Sequence, residues 1–236
     1  MRYAVYFTPA SDTALWRFGS SVLGYDAVTR EAVAFPEHGL WREPWFTRLQ
    51  ETPARYGFHA TLKPPFALAP GVTETELLKR AAVFSARCAP VYLPALEVAR
   101  LGDFVALCPL AEDAELNRLA AACVRDFDHL RAPLGEDDRA RRLSQALTPR
   151  QHAHLDRWGY PYVFEDFRFH MTLTGAIPKA LQPRALEALK ALYRRAGGPV
   201  WVDAISVLVQ PTREGRFGLI ERFPLRAPAP VIGLDR

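Results

Sequence analysis

Short stretches of the chain alternate apolar and polar residues, and longer stretches with a helical period separate them. The alternation predicts strands at 3–7, 56–66, 91–101, 104–110, 166–175, 200–210 and 216–225. Apolar stripes with capping residues predict helices at about 12–23, 73–88, 112–130, 148–158 and 182–196. Helices and antiparallel hairpins therefore share the chain, which is the pattern of an α+β fold.

The order of these elements occurs twice. Phe58-His59-Ala60-Thr61-Leu62 returns 111 residues later as Phe169-His170-Met171-Thr172-Leu173, and Val91 returns 109 residues later as Val200. A near-constant offset over four successive elements indicates an internal duplication. We therefore expect two pseudo-symmetric β-α-β-β lobes whose antiparallel sheets face a central groove.

The duplication predicts one bilobal domain over residues 1–236, with motif-bearing lobes at about 55–132 and 160–226. The ranges 25–54 and 131–147 are expected to be loop-rich inserts. Residues 131–147 are polar and charged, so a solvated loop is the main interpretation, and a lid that grips phosphate is the alternative.

Three aromatic residues in the first insert, Trp41, Trp45 and Phe46, are expected to form a local core. The alternative is that they close one end of the groove and stack on a base or a sugar.

Composition sets broad limits on function. Thirty Lys and Arg against 26 Asp and Glu give a net charge of +4, which suits an anionic substrate without indicating nucleic-acid binding. Three cysteines without metal-ligand spacing favour a reduced, cytoplasmic setting. No stretch is apolar enough to predict a signal peptide or a membrane span, and nothing indicates an obligate protein partner.

The repeated motif carries the candidate chemistry. Side chains alternate along a strand, so His59 and Thr61 share one face, and His170 and Thr172 share the corresponding face of the second motif strand. One imidazole can accept a proton while the other donates one, and hydroxyls can hold phosphate oxygens. This pairing suits cleavage of a phosphodiester. Which histidine is the base stays open.

Three cations are weaker candidates for phosphate binding. Lys63 and Arg168 have the strand parity of the histidines, and Arg55 has the same parity further upstream. No Asp or Glu shares these two faces, whereas divalent cations prefer carboxylates and zinc needs a third protein ligand. We therefore expect neither a metal nor a cofactor.

The paired Phe-His-x-Thr-Leu motifs resemble those of the two-histidine (2H) phosphoesterase superfamily, which includes RNA 2′,3′-cyclic phosphodiesterases. Two longer strings, Arg55 to Phe66 and Phe167 to Gly175, resemble a bacterial branch described as phosphonate metabolism proteins and found with carbon–phosphorus lyase genes. The resemblance covers nearly the whole chain. It implies a bilobal fold and metal-independent catalysis by the His and Thr residues at 59, 61, 170 and 172.

The branch resemblance implies a small anionic phosphodiester as substrate, such as a ribose cyclic phosphate. An RNA end with a 2′,3′-cyclic phosphate is the first alternative, although long RNA needs an extended basic surface with stacking aromatics. A module that binds nucleotide or phosphate without turnover is the second alternative.

Overall fold

The computed structural model describes residues 1–144 and 146–226, so position 145 of the 131–147 insert and the last ten residues of the chain lie outside the described residues. The strands are β1 (Arg2–Phe7), β2 (Tyr25–Asp26), β3 (Glu31–Ala32), β4 (Ala60–Phe66), β5 (Val91–Leu93), β6 (Leu96–Leu101), β7 (Phe104–Pro109), β8 (Met171–Thr172), β9 (Val200–Val202), β10 (Ala204–Gln210) and β11 (Gly218–Pro224). The helices are α1 (Ala14–Leu23), α2 (Pro44–Ala54), α3 (Glu74–Ser85), α4 (Ala114–Asp126), α5 (Glu136–Leu143), α6 (Pro149–Trp158) and α7 (Gln182–Tyr193).

Seven strands form one sheet in the order β11-β10-β1-β4-β8-β7-β6, and all of its neighbouring strands are antiparallel. Helices alternate with these strands along the chain, so the predicted α+β class with antiparallel pairing is confirmed. The order β4-α3-β5-β6-β7 returns as β8-α7-β9-β10-β11.

Equivalent strands of the two repeats pair with each other. Ala60 of β4 pairs with Met171 of β8, and these two residues are the central positions of the two motifs. Tyr92 of β5 likewise pairs with Trp201 of β9. A pseudo-twofold axis therefore passes between the two motifs and again between β5 and β9.

The repeats exchange strands across this axis. The first motif strand, β4, lies beside β1 and on the side of β10 and β11, whereas β8 lies beside β7 and β6. Each half of the sheet thus contains strands from both halves of the sequence. The ranges 55–132 and 160–226 therefore do not form two separate sheets. The sequence pattern locates strands, but strand partners are set by packing of the whole chain.

The two inserts contain regular structure. The first holds the β2–β3 hairpin and α2, and the second contains α5 where a loop was the main expectation. The α5 helix begins with three acidic residues and ends with Arg141 and Arg142, an arrangement that complements the helix dipole. None of the described helices is long and apolar enough to span a bilayer.

The predicted local aromatic core is present. Trp41 and Phe46 are buried and meet edge to face, with 4.9 Å between ring centroids, and the Trp41 indole donates to the Val22 carbonyl. Another close approach lies beside the first motif: Phe58 packs so tightly on Gly19 of α1 that a Cβ there would stand 2.1 Å from its ring. A side chain at position 19 would therefore displace the residue next to His59.

A β-bulge changes the side-chain parity of β4 after the first motif. Tyr6 pairs with Thr61, but Val5 pairs with Lys63, so β4 advances two residues while β1 advances one. Lys63 therefore turns to the face opposite His59 and Thr61, where its side chain is 1% exposed. The expectation that Lys63 lines the groove is wrong, because strict alternation does not survive a bulge.

Lys63 is part of a buried ion-pair cluster beneath β4. Its ammonium donates to the Val124 carbonyl at 3.0 Å and to Asp128 Oδ1 at 3.2 Å. Asp128 is also paired with Arg131 and Arg157. Burial lowers the pKa of Lys63 to about 8 although the Asp128 carboxylate opposes that shift. Through these contacts, Lys63 of β4 holds α4 and the turn that follows it against the sheet.

Loss of either partner in this cluster has unequal consequences. Asp128→Asn leaves a buried ammonium without its counter-charge and should lower the free energy of unfolding by about 3 kcal/mol. Lys63→Met should lower it less, since methionine suits the buried site and Asp128 keeps Arg131 and Arg157. Urea unfolding of both variants measures the difference. Lys63→Met would contradict the structural role if it left stability intact and weakened binding of a phosphate ligand.

Candidate active site

The two motifs meet side by side at the centre of the sheet. Extending the Ala60–Met171 register by one residue in each direction places His59 across from Thr172, and Thr61 across from His170. Residues that are directly opposite share a face of the sheet, and diagonal neighbours lie about 7–8 Å apart. Both imidazoles and both hydroxyls therefore belong to one face, with the two histidines on a diagonal.

The two imidazoles are fixed in the same way. His59 Nδ1 lies 2.8 Å from the Gly57 carbonyl, and His170 Nδ1 lies 2.8 Å from the Arg168 carbonyl. A carbonyl oxygen can only accept, so each Nδ1 carries the proton that it donates. In the neutral rings each Nε2 is consequently a lone-pair nitrogen, and that of His59 stands 3.1 Å from the Thr61 hydroxyl.

Neighbouring residues set the orientation of His59. The buried Tyr6 ring stacks on the imidazole, with 3.8 Å between centroids and 22° between planes. Gly57 supplies the accepting carbonyl at a φ of 73°, a conformation that a side chain would strain, and a Cβ there would lie 2.8 Å from that of Ala27. The turn before the motif thus requires glycine.

A cavity of about 220 Å³ opens beside the motifs. His59 and Thr172 both line it, with Tyr56, Phe104 and Thr174. The Phe104 ring also contacts His170 at 5.7 Å between centroids. The cavity is smaller than the roughly 300–1,000 Å³ of sites for drug-sized ligands, so it suits a small molecule or one end of a larger one.

Electrostatics favour the neutral form of both imidazoles in the free protein. Burial lowers the pKa of His59 to about 4, against the effect of the Gly57 hydrogen bond, and a charge on His170 lowers it further. Burial also lowers the pKa of His170. The mutual effect of the two rings agrees with their diagonal placement.

The sequence profile of one protein family, DUF1045, described as a protein of unknown function, matches residues 61–218. The chain belongs to this family. The matched region begins two residues after His59 and includes Thr61, His170 and Thr172.

Two curated relatives are both called "Ribose 1,5-bisphosphate phosphokinase PhnN". The protein from Janthinobacterium sp. (strain Marseille) is 40% identical over 211 residues, which is 87% of this chain and 47% of the relative. The protein from Laribacter hongkongensis (strain HLHK9) is 36% identical over 231 residues, which is 93% of this chain and 50% of the relative. The chain thus spans about half the length of the curated relatives it matches.

Among solved structures, the chain is similar to E. coli LigT complexed with 3′-AMP, with a TM-score of 0.46 and 13% sequence identity. That alignment covers 96% of this chain and 98% of LigT.

Two of the expected phosphate-binding cations of this DUF1045 chain are exposed and are not among the residues that line the cavity. Arg168 is exposed, pairs with Glu112 at 3.1 Å and lines a different cleft, beside Phe167 and Phe169. The residues before β8 are not strand, so strand parity does not apply to Arg168. Arg55 is an exposed residue at the end of α2, whose backbone carbonyl accepts from the Phe217 amide. The structure therefore brings together the four motif residues and none of the three cations.

Sequence reasoning missed three aromatic residues of the site. Tyr6 lies in a strand whose residues are buried on both faces, so nothing in its pattern marks it. Tyr56 follows the end of α2 and lines the cavity. Phe104 begins β7, which reaches β8 only through the exchange of strands. Their proximity to the motifs is a result of tertiary structure.

The four motif residues lack the anionic ligands that protein-bound metal ions usually have. Two neutral Nε2 nitrogens and two hydroxyls offer no carboxylate or thiolate. In residues 1–144 and 146–226, no three His, Cys, Asp or Glu side chains are grouped in a way that could hold a metal ion.

The depressed pKa of His59 should be directly measurable. We expect NMR titration to show this imidazole neutral from pH 8 to pH 5, with a midpoint near 4. The unfolded ring takes up a proton near 6.5 and the folded one only near 4. The free energy of unfolding should therefore fall as the pH drops through that window, and less so in His59→Gln. A midpoint at or above 6.5 would contradict burial of the ring.

Proposed function

We propose that this protein hydrolyses a small cyclic phosphodiester of ribose by paired-histidine acid–base catalysis without a metal ion. One observation carries the proposal: His59 and His170 stand on one face, each directly before one of two adjacent strands, and their Nδ1 hydrogen bonds are equivalent. His59 lines the cavity, and His170 contacts Phe104, which lines it too. Their Nε2 atoms can flank one phosphoryl group. In-line displacement needs a base on one side of phosphorus and an acid on the other.

The proposal assigns His59 as the base. A ring whose pKa lies near 4 is neutral at physiological pH, so its Nε2 can accept a proton from water. His170 is the acid that protonates the departing oxygen. The charge of a bound phosphodiester favours the imidazolium form, so substrate itself raises the pKa of His170. The hydroxyls of Thr61 and Thr172 donate to non-bridging oxygens.

The names of the curated relatives support a specific sugar. Those proteins are twice as long and are named for ribose 1,5-bisphosphate. This chain has no Gly-x-x-x-x-Gly-Lys-Ser/Thr nucleotide-binding motif, so the proposal takes from the name the sugar phosphate and not the phosphoryl transfer. A cyclic phosphodiesterase joined to such a kinase is useful if its product is the kinase's substrate.

This link supports one particular ring and one particular bond. Ribose 5-phosphate with a 1,2-cyclic phosphate yields ribose 1,5-bisphosphate when water adds to phosphorus and the bond from phosphorus to O2 breaks. The water proton passes to His59 Nε2, and the proton on His170 Nε2 passes to O2. The balance is one substrate and one water for one product, and it needs no other reactant.

Phosphorus NMR on a panel of cyclic phosphates tests the substrate. We expect ribose 5-phosphate 1,2-cyclic phosphate to be converted to ribose 1,5-bisphosphate, after dialysis against a strong chelator as well as before it. An oligonucleotide with a 2′,3′-cyclic end is the comparison. A much larger rate on the oligonucleotide would favour an RNA substrate, and tight binding without product would favour a binding module.

The separate roles of the histidines can be tested with leaving groups. His59→Ala and His170→Ala should each lower kcat on the cyclic sugar phosphate by about 10²–10⁴-fold. A phosphodiester with a p-nitrophenolate leaving group needs no acid, so His170→Ala should retain most of its rate there while His59→Ala should not. The reverse pattern would exchange the two roles, and full activity of both variants would refute the mechanism.

A further inference from the structure

Tyr6 presents an unusual polar atom next to the histidine pair. Its side chain is fully buried, yet its hydroxyl has no hydrogen-bond partner among the described residues. A buried hydroxyl that is left unpaired destabilises the folded state, so its presence calls for an explanation. Phenylalanine would keep the stacking on His59 without that cost.

The groups around this hydroxyl are two tyrosines and two arginines. Burial raises the pKa of Tyr6 well above its usual value, Tyr56 and Tyr160 raise it further, and the charges of Arg2 and Arg142 oppose them. All four side chains are therefore within electrostatic range of Tyr6. Tyr56 connects this group to the cavity, since it lines the cavity and its ring centroid is 6.3 Å from that of His59.

Arg142 differs from its neighbours on α5. Arg139 pairs with Asp156, and Arg141 pairs with Asp138. The Arg142 guanidinium instead lies over the Tyr160 ring, 4.7 Å from its centroid, and in the described part of the chain no carboxylate lies within ion-pair distance of it. A half-buried cation without a counter-charge is suited to an anion from solution.

The other charges near Tyr6 do not cancel this field. Arg2 donates to the neutral Gln210 side chain at 2.9 Å. Arg2 is one of the charges that lower the pKa of Asp138, but the ion pairs of Asp138 are with Arg141 and Arg213. Arg2 and Arg142 both lower the pKa of Tyr6, and among the described residues no carboxylate lies within ion-pair distance of either.

We propose that Arg142 and the hydroxyls of Tyr6 and Tyr160 form a second anion subsite beside the histidine pair, which takes the non-reacting phosphate of a substrate that carries two phosphate groups. The inference rests on the proposed function and specifies its substrate class. By this proposal, α5 of the 131–147 insert is the element that selects a phosphorylated sugar.

The test compares ribose 1,2-cyclic phosphate with and without a 5-phosphate. The wild-type protein should prefer the 5-phosphorylated substrate, and Arg142→Gln should reduce the ratio of the two kcat/KM values by roughly 10- to 100-fold. Arg141→Gln, one residue away on α5 and similarly charged, should leave that ratio within about twofold. An unchanged ratio of the two kcat/KM values in Arg142→Gln would overturn the subsite. An equal change of that ratio in Arg142→Gln and Arg141→Gln would overturn it too.

Tyr6→Phe separates binding from structure. It removes a buried hydroxyl without a partner, so the variant should be at least as stable as wild type in urea unfolding. Its KM for the 5-phosphorylated substrate should nevertheless rise, which a purely structural role does not explain. A stability loss with an unchanged KM would contradict the role of the hydroxyl.

Failure of the proposed function is distinguishable from failure of the subsite. If wild type turns over neither cyclic phosphate, calorimetry with ribose 1,5-bisphosphate still measures the subsite, and Arg142→Gln should weaken that binding by roughly 10- to 100-fold. If wild type does not bind the bisphosphate, the subsite is refuted. Turnover with an unaltered substrate ratio in Arg142→Gln refutes the subsite and leaves the hydrolase standing.

Discussion

The antiparallel contact between β4 and β8 is the constraint on which the rest of the molecule depends. It joins the two halves of the seven-stranded sheet through the pair Ala60 and Met171, each the central residue of its motif. Since these residues are equivalent in the two repeats, the pseudo-twofold axis must pass between them. Two copies of one motif are thereby placed on one face within reach of one ligand.

The contact is short, and other interactions hold it in place. Thr172 and Met171 also pair with Ala106 and Leu107 of β7, and the buried Thr174 hydroxyl accepts from the Val105 amide. On the other side β4 is held along most of its length by β1. Each motif is thus fixed by a neighbour from outside its own repeat unit, which makes the exchange of strands a requirement of the site.

The histidine pair was predictable because its signal is local and repeated. Packing explains the recurrence of Phe58 as Phe169 and of Leu62 as Leu173, but packing does not explain why His and Thr recur with them. The alternation expected for a strand gives the correct face for all four polar residues, although His59 and His170 each lie one residue before the observed strand. The α+β class and the order of elements follow from the same periodicities, which depend on sequence neighbours alone.

The remaining site residues depend on events that local pattern does not encode. A one-residue bulge sends Lys63 to the opposite face, and the irregular backbone before β8 frees Arg168 to pair with Glu112. Tyr6 and Phe104 contact the two imidazoles from two distant segments. The sequence positions of such residues do not show that they lie close together, because that depends on the order of the strands in the sheet.

The distribution of charged residues is likewise a result of tertiary structure that the sequence does not indicate. A net charge of +4 gives no hint of where an anion would bind, because many cations of this chain are neutralised where they stand. Lys63 is paired with Asp128, and Arg168 is paired with Glu112 at the surface. Neither cation therefore lacks a counter-charge. Arg142 does lack one among the described residues, since its neighbour is an aromatic face and not a carboxylate. In the proposed subsite, anion recognition depends on a cation that lacks a counter-charge, and the total number of cations in the chain does not indicate where that cation lies.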